Sequence, residues 1–241
     1  MNPDTLPQHS SKPVALVTGS RTGLGRDIAL HLAKHGFSVV GCSRKQPEWT
    51  ADHYFHVLAD VSSEAAVRTV MQHIQKAHGR LDVLINNAGV ASMNHTLLTP
   101  VSTVDRIMNI NLRGTFLMSR ESARLMRRRN FGRIVNLTSI AVPMQLEGEA
   151  VYAASKSAVE TLTRVMAHEL AAFGITVNAV GPSPVDTDLI RNVPAEAIDS
   201  IIARLGVKRR CTPDDVLNVV DFFIRPESSY VTGQVIYLGG V

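Results

Sequence analysis

Cysteine is nearly missing from this sequence: Cys42 and Cys211 are the only two in 241 residues. Two thiols give no disulfide framework and no ligand spacing for a structural metal, so no metal site is expected and a reducing, cytoplasmic setting fits. Cys42 lies in an apolar run, which predicts a buried structural thiol. Aromatic residues are also few, at 5%. A formal charge of +4 raises the question of nucleic acid, but the basic residues are scattered and no aromatic platform interleaves with them. No nucleic-acid partner is expected. Also missing is any apolar run of roughly 18 residues, so no membrane span is expected. Residues 1–12 are polar, lack the apolar stretch of a secretory signal, and read as a flexible tail.

What is present is an ordinary globular balance, 45% hydrophobic and 19% charged, in a length suited to one large α/β domain. Short β-branched runs at 14–18, 38–43, 54–59, 81–86, 133–138, 175–180 and 234–238 read as strands, most of them apolar enough to be buried on both faces. Helical patterns cover 23–35, 63–78, 103–128 and 149–173, and Gly36, Gly79, Gly132 and Gly174 fall where helices should end. Seven strands alternating with six helical segments predict a single-domain, doubly wound Rossmann fold over 13–241, a seven-stranded parallel sheet with helices on both faces. Residues 182–210 are longer than one crossover needs, and 184–210 read either as a substrate lid or as a surface helical hairpin. The one dense basic run, Arg127–Arg129, ends a helical pattern, where cations suit the helix C-terminus; a docking role is the alternative.

The first strand runs into Thr18-Gly19-Ser20-Arg21-Thr22-Gly23-Leu24-Gly25, and a helix follows. Backbone N–H groups at such a turn can hold a pyrophosphate against the helix dipole. Gly19 permits the tight turn, Gly23 close approach of backbone to ligand, and Gly25 contact between helix and strand. Tyr152 and Lys156 stand four apart on a predicted helix and so share a face. A cation there would stabilise the phenolate and lower the tyrosine pKa from its ordinary value of about 10.

The glycine spacing, TGxxxGxG, resembles the short-chain dehydrogenase/reductase family. Further motifs follow in that family's order: Asn86-Asn87-Ala88-Gly89, Asn111 in its helix, Ser139 after a strand, and Tyr152-Ala153-Ala154-Ser155-Lys156 thirteen residues later. The pattern is similar above all to 3-oxoacyl-[acyl-carrier-protein] reductases and related carbonyl reductases. The resemblance implies that Asn111, Ser139, Tyr152 and Lys156 are catalytic. Tyr152 would protonate the substrate oxygen, Ser139 would bond it, Lys156 would support Tyr152 and hold the ribose, and Asn111 would orient a relay water. It also implies cofactor contacts at Gly19, Ser20, Arg21, Gly23, Leu24, Gly25, Ser43, Arg44, Asp60, Val61, Asn87, Ala88, Gly89, Tyr152, Lys156, Pro182 and Thr187. Asp60 equally suits a helix cap.

The second strand ends Gly41-Cys42-Ser43-Arg44-Lys45, with no acid to pair with the ribose 2′-hydroxyl of NAD. Ser43 and Arg44 can instead bond a 2′-phosphate, so NADP(H) is the expected cofactor. The family also implies a homodimer or homotetramer through the two long helices, and an acyl carrier protein as a candidate partner. Three positions depart from the family's common form: Val142 and Ser183 replace glycines, and Leu238 stands where an aspartate is frequent. Phe173 replaces a basic residue frequent in carrier-protein reductases, so a free small-molecule ketone stays open as the substrate. A catalytically quiet NADP(H)-binding sensor is the reading from another class.

Overall fold

The computed structural model describes residues 12–186 and 193–241, so most of the expected N-terminal tail lies outside the described residues. Seven parallel strands form one sheet in the order β3-β2-β1-β4-β5-β6-β7. They are β1 (Val14–Thr18), β2 (Ser38–Ser43), β3 (Tyr54–Leu58), β4 (Val83–Asn86), β5 (Gly132–Leu137), β6 (Ile175–Gly181) and β7 (Val235–Tyr237). The chain winds outward from β1 to β3, returns to place β4 on the other side of β1, and then winds to β7. The strand order therefore reverses between β1 and β4, where a crevice opens at the carboxyl ends of the strands. Strands β1, β4, β5 and β6 are fully buried, β2 is partly exposed only at its end residues Ser38 and Ser43, and the edge strands β3 and β7 are partly exposed along their length.

Two apolar layers explain that burial. On one face lie α2 (Glu64–His78), α4 (Thr115–Met126) and α6 (Ala150–Leu170), contributing Val70, Ile74, Met118, Met126 and Met166. On the other, α1 (Gly23–Lys34) and α8 (Pro213–Ile224) supply Ile28, Leu32, Val220 and Phe223. The remaining helices are α3 (Val101–Ile107), the short α5 (Ala141–Met144) and α7 (Ala195–Arg204). Among the described residues, no helix is long and apolar enough to cross a membrane.

Three expectations are corrected. There is no helix between β2 and β3: residues 44–53 cross over as an extended loop. Ten residues interrupted by Pro47 are too few for a helix and its two turns, and five helical crossovers replace the six expected. The pattern over 103–128 is not one α-helix, because a π-helical turn, Met108–Gly114, separates α3 from α4. Gly132 ends no helix. Asn130 takes the left-handed conformation there (φ 50°), whereas Gly132 belongs to β5 and is small because a Cβ would meet Met126 Sδ at 2.5 Å. Gly79 and Gly174 do close their helices in the left-handed region. Arg127–Arg129 form an exposed turn at the end of α4, with Arg128 donating to Gln75. They precede β5, so some 20 Å of strand separates them from Ser139 at its far end.

Candidate active site

The glycine turn and the end of β4 are stitched together at the point where the strand order reverses. The hydroxyl of Thr18 accepts from the backbone N–H of Asn87 (3.0 Å) and Ala88 (2.9 Å), and the Asn87 amide donates to the Thr18 carbonyl (2.9 Å). Gly19 has φ +68°, and Gly25 has no room for a side chain: a Cβ would lie 2.4 Å from the Gly19 carbonyl oxygen and 2.3 Å from the Asn87 amide. Close packing of α1 against the turn thus requires glycine at 25. No side chain caps the N-terminus of α1, so its first N–H groups keep their capacity to bond an anion. Glycines that close the turn while its donors stay open are what a pyrophosphate cradle requires.

At the end of β2, the Ser43 hydroxyl donates to the Lys45 carbonyl (2.7 Å), and Arg44 is exposed beside Asp60. Asp60 caps no helix. It accepts from the Ser62 backbone (2.9 Å) and hydroxyl (2.7 Å), which hold its carboxyl below the usual range, and Ser63 is the residue that caps α2. Val61 is buried against Gly114, where a Cβ would come within 2.7 Å of it. Gly114 thereby lets the π-helical turn, with Asn111 in it, approach the site. Such turns often mark functional positions in helices.

The proposed catalytic side chains converge at the end of β5. Tyr152, Lys156 and Asn111 are all buried, with Tyr152 at 7% and Lys156 at 6% exposure. Lys156 donates to the Leu137 carbonyl (2.6 Å), and its Nζ lies 5.9 Å from the centre of the Tyr152 ring. Gly89 closes the site from the β4 side: a Cβ there would lie 3.4 Å from Asn111 Oδ1 and 3.5 Å from Lys156 Nζ. Asn111 accepts from the Val90 N–H (2.9 Å) and donates to the Val90 carbonyl (2.9 Å) and to Ser155 (2.9 Å). Ser155 in turn donates to the Tyr152 carbonyl (2.7 Å).

The electrostatics differ from the expectation. Burial pushes the Tyr152 phenol up to about 12; a hydrogen bond with Ser139 offsets part of this, and the nearby Glu149 carboxylate adds to it. Burial pulls Lys156 down to about 8. Desolvation is the largest influence on both groups, and the Lys156 ammonium is directed at the Leu137 carbonyl.

Below these groups, α6 continues as a polar stripe. Glu160 accepts from Thr138 (2.8 Å) and Tyr237 (2.6 Å), and Thr163 accepts from Asn136 (2.8 Å). Asn136 accepts from Asn86 (2.8 Å), which also donates to Ser119 (2.8 Å). Sequence reasoning missed these supports, together with Thr18, Ser155 and Glu149. Their spacing was visible, with Tyr152, Lys156, Glu160 and Thr163 recurring every three or four residues, but a polar stripe at that period reads equally as solvent-facing helix surface.

Pro182 follows β6, and its carbonyl accepts from Ile140 N–H (3.2 Å). Thr187 lies outside the described residues, as does the rest of 187–192 within the expected lid. The described remainder of that segment includes α7, where Arg204 donates to the Met144 carbonyl (3.3 Å), tying it to the segment after Ser139. A depression lined by His95, Thr96, Leu146, Gly148 and Ala153 opens near the N-terminus of α6. Leu97, Leu98 and Val101 leave apolar surface exposed nearby. Among the described residues, no three His, Cys, Asp or Glu side chains gather as metal ligands.

A glycine turn at the strand-order reversal, a buried Tyr-Lys pair and a serine just beyond β5 are set in a Rossmann fold, the arrangement of an oxidoreductase. Residues 19–240 match the family model described as enoyl-(acyl carrier protein) reductase, and the chain belongs to the short-chain dehydrogenase/reductase family. It is 34% identical over 236 residues to the 3-oxoacyl-[acyl-carrier-protein] reductase of Staphylococcus epidermidis, covering 94% of this chain and 97% of that one. It is 31% identical to the enzyme of the same description from Vibrio cholerae, covering 94% and 96%. Among solved structures it is similar to a putative gluconate dehydrogenase from Agrobacterium tumefaciens, with a TM-score of 0.87 and 32% identity over 95% of this chain and 94% of that one. A levodione reductase matches with a TM-score of 0.86 and 28% identity, covering 95% and 96%.

Proposed function

We propose that this oxidoreductase is an NADPH-dependent carbonyl reductase whose substrate is a 3-oxoacyl thioester. The observation that carries the reductase reading is the convergence of buried Tyr152, Lys156 and Asn111 at the end of β5, with Tyr152 in hydrogen-bond contact with Ser139. A nicotinamide cofactor, when bound, supplies hydride to the carbonyl carbon. Ser139 donates to the carbonyl oxygen and orients it. Tyr152 gives that oxygen its proton: at about 12 the phenol is still a far stronger acid than an aliphatic alcohol, which is of the order of water at about 15.7. Lys156 supplies positive charge beside Tyr152 as the phenolate forms and can bond the ribose hydroxyls. Asn111 has both amide protons committed, so it fixes the position of α6 and leaves one lone pair of Oδ1 for a relay water.

The NADP(H) assignment rests on Arg44 and Ser43 at the end of β2, where no acid stands to take a 2′-hydroxyl. Gly19, Ser20, Arg21, Gly23, Leu24 and Gly25 would hold the pyrophosphate. Asp60 and Val61 would border the adenine, Asn87, Ala88 and Gly89 the adenosine ribose and nicotinamide side, and Pro182 and Thr187 the nicotinamide. The thioester assignment is supported by the two 3-oxoacyl relatives and by the apolar surface of Leu97 and Leu98 beside the depression. An acyl carrier protein is then the natural partner, the assembly a homodimer or homotetramer, and the setting cytoplasmic. Similarity to a levodione reductase favours a free ketone as the second reading. Purified protein given NADPH and acetoacetyl thioester should consume NADPH, and Tyr152→Phe should abolish consumption in a protein that still binds NADPH. Turnover confined to a free diketone would move the substrate to the second reading. Binding of NADPH without turnover on any carbonyl would refute the enzyme.

A further inference from the structure

Behind the end of β2 runs a chain of hydrogen bonds whose two middle members, Tyr54 and His56, have no part in the cofactor and substrate contacts given above. Ser20 of the glycine turn meets the Tyr54 hydroxyl at 2.9 Å, that hydroxyl meets His56 Nδ1 at 2.6 Å, and His56 Nε2 meets Ser43 Oγ at 2.9 Å. Tyr54 and His56 alternate on one face of β3, and the register places His56 opposite Gly41 of β2. Gly41 makes the crossing possible: a Cβ there would lie 2.1 Å from the Tyr54 hydroxyl and 2.3 Å from Ser20 Oγ. The helix-free crossover completes the arrangement, since Trp49 donates to the Arg21 carbonyl (2.8 Å) and packs on Tyr54 with ring centres 4.3 Å apart.

The direction of the chain follows from its last member. Ser43 has one hydroxyl proton and gives it to the Lys45 carbonyl, so toward His56 it can only accept. His56 therefore carries its proton on Nε2 and accepts at Nδ1, Tyr54 donates to it, and Ser20 donates to Tyr54. Burial holds His56 below the ordinary imidazole range, with a hydrogen bond to the Lys45 carbonyl, shared with Ser43, offsetting part of this.

We propose that His56, oriented by Tyr54, is the positioning residue that sets preference for the 2′-phosphate of NADP(H) over the 2′-hydroxyl of NAD(H). By occupying a lone pair of Ser43, His56 keeps the serine proton directed outward, where it can turn from the Lys45 carbonyl to a phosphate seated against Arg44. That bond is charge-assisted with a phosphate and not with a hydroxyl, so removing it weakens one cofactor selectively. The inference rests on the NADP(H) assignment above.

Dissociation constants for NADPH and NADH, measured by isothermal titration on the purified chain, test both. For His56→Leu, NADPH binding should weaken about tenfold with NADH changed less than twofold, and His56→Gln, whose amide can donate to Ser43, should recover most of the loss. Tyr54→Phe should shift the ratio in the same direction, although the Tyr54 hydroxyl cannot itself reach the phosphate through His56. An unchanged ratio in the His56→Leu and Tyr54→Phe proteins, or an equal loss for both cofactors, would overturn the role of His56 alone. A wild-type protein that binds NADH at least as tightly as NADPH would overturn the cofactor assignment and this inference with it.

Discussion

Replacing Lys156 with Met removes the one buried lysine at the site, and its effect should depend on pH in a way few other substitutions would. Burial lowers this amine from an ordinary lysine's 10.5 to about 8. Between those values the unfolded chain holds a proton at Lys156 that the folded protein has released, so the unfolded state binds more protons and the native state gains stability as pH rises. At 1.36 kcal/mol per pKa unit, the full gain is about 3 kcal/mol, complete near pH 10.5 and absent below about pH 8. Other buried groups oppose it: the thiol of Cys42 is pushed up to about 12, and it makes the folded state less stable as pH climbs past an ordinary thiol's 9. The Lys156→Met protein shares those groups, so the wild-type minus variant difference isolates Lys156. Urea unfolding at half-unit steps from pH 7 to 10.5, followed by fluorescence of the single tryptophan, Trp49, measures that difference. Leaving the Leu137 carbonyl without its donor adds a constant penalty at every pH. A difference that stays flat from pH 8 to 10.5 would refute the reasoning, because Lys156 would then be an ordinary ammonium exposed to water.

Other substitutions probe the scaffold. Gly25→Ala should reduce NADPH affinity by at least tenfold and destabilise the fold by about 1–3 kcal/mol, since its Cβ meets a backbone oxygen at 2.4 Å; calorimetry and urea melts read both. Ser155→Ala unlinks Asn111 from the Tyr152 carbonyl and should lower kcat more than it raises KM, with a loss of about 1 kcal/mol in stability. Cys42, fully buried and with its thiol pushed up to about 12, should stay unmodified by an aromatic disulfide reagent at pH 8 until urea unfolds the chain.

Much of this molecule is readable in its amino acids, for identifiable reasons. Strand segments such as 14–17 and 83–85 are apolar on both faces, and helices such as 64–78, closed by Gly79, have period and stop signals that agree, so the parallel sheet and the alternation of strand and helix follow from pattern. The glycine turn is legible because Gly19 and Gly25 answer steric demands that no other residue meets. What stayed hidden depended on three-dimensional neighbours. Residues 44–53 resemble any polar connection, and nothing in their pattern shows that Trp49 would fold back on the glycine turn. The π-helical turn around Asn111 changes no periodicity strongly enough to register. The spacing of Tyr152 and Lys156 shows proximity and is silent about the Leu137 carbonyl that the ammonium meets and about how dry the surroundings are.

The polar stripe on α6 has a consequence for the geometry of catalysis. Helices held by apolar side chains can shift by a fraction of a turn and repack with little loss, because dispersion contacts have no direction. This helix is fastened at Lys156, Glu160 and Thr163 by hydrogen bonds to Leu137, Thr138 and Asn136, consecutive positions at the end of β5 and just beyond it. Sliding it by one residue would strand several buried polar groups, each at about 1–3 kcal/mol. The height of the Tyr152 hydroxyl above the sheet is thus gauged against β5 itself, the same strand that delivers Ser139. Proton donor and oxygen-binding hydroxyl share one reference frame, and substrates of different shape can be accommodated by changing the surrounding loops without moving either.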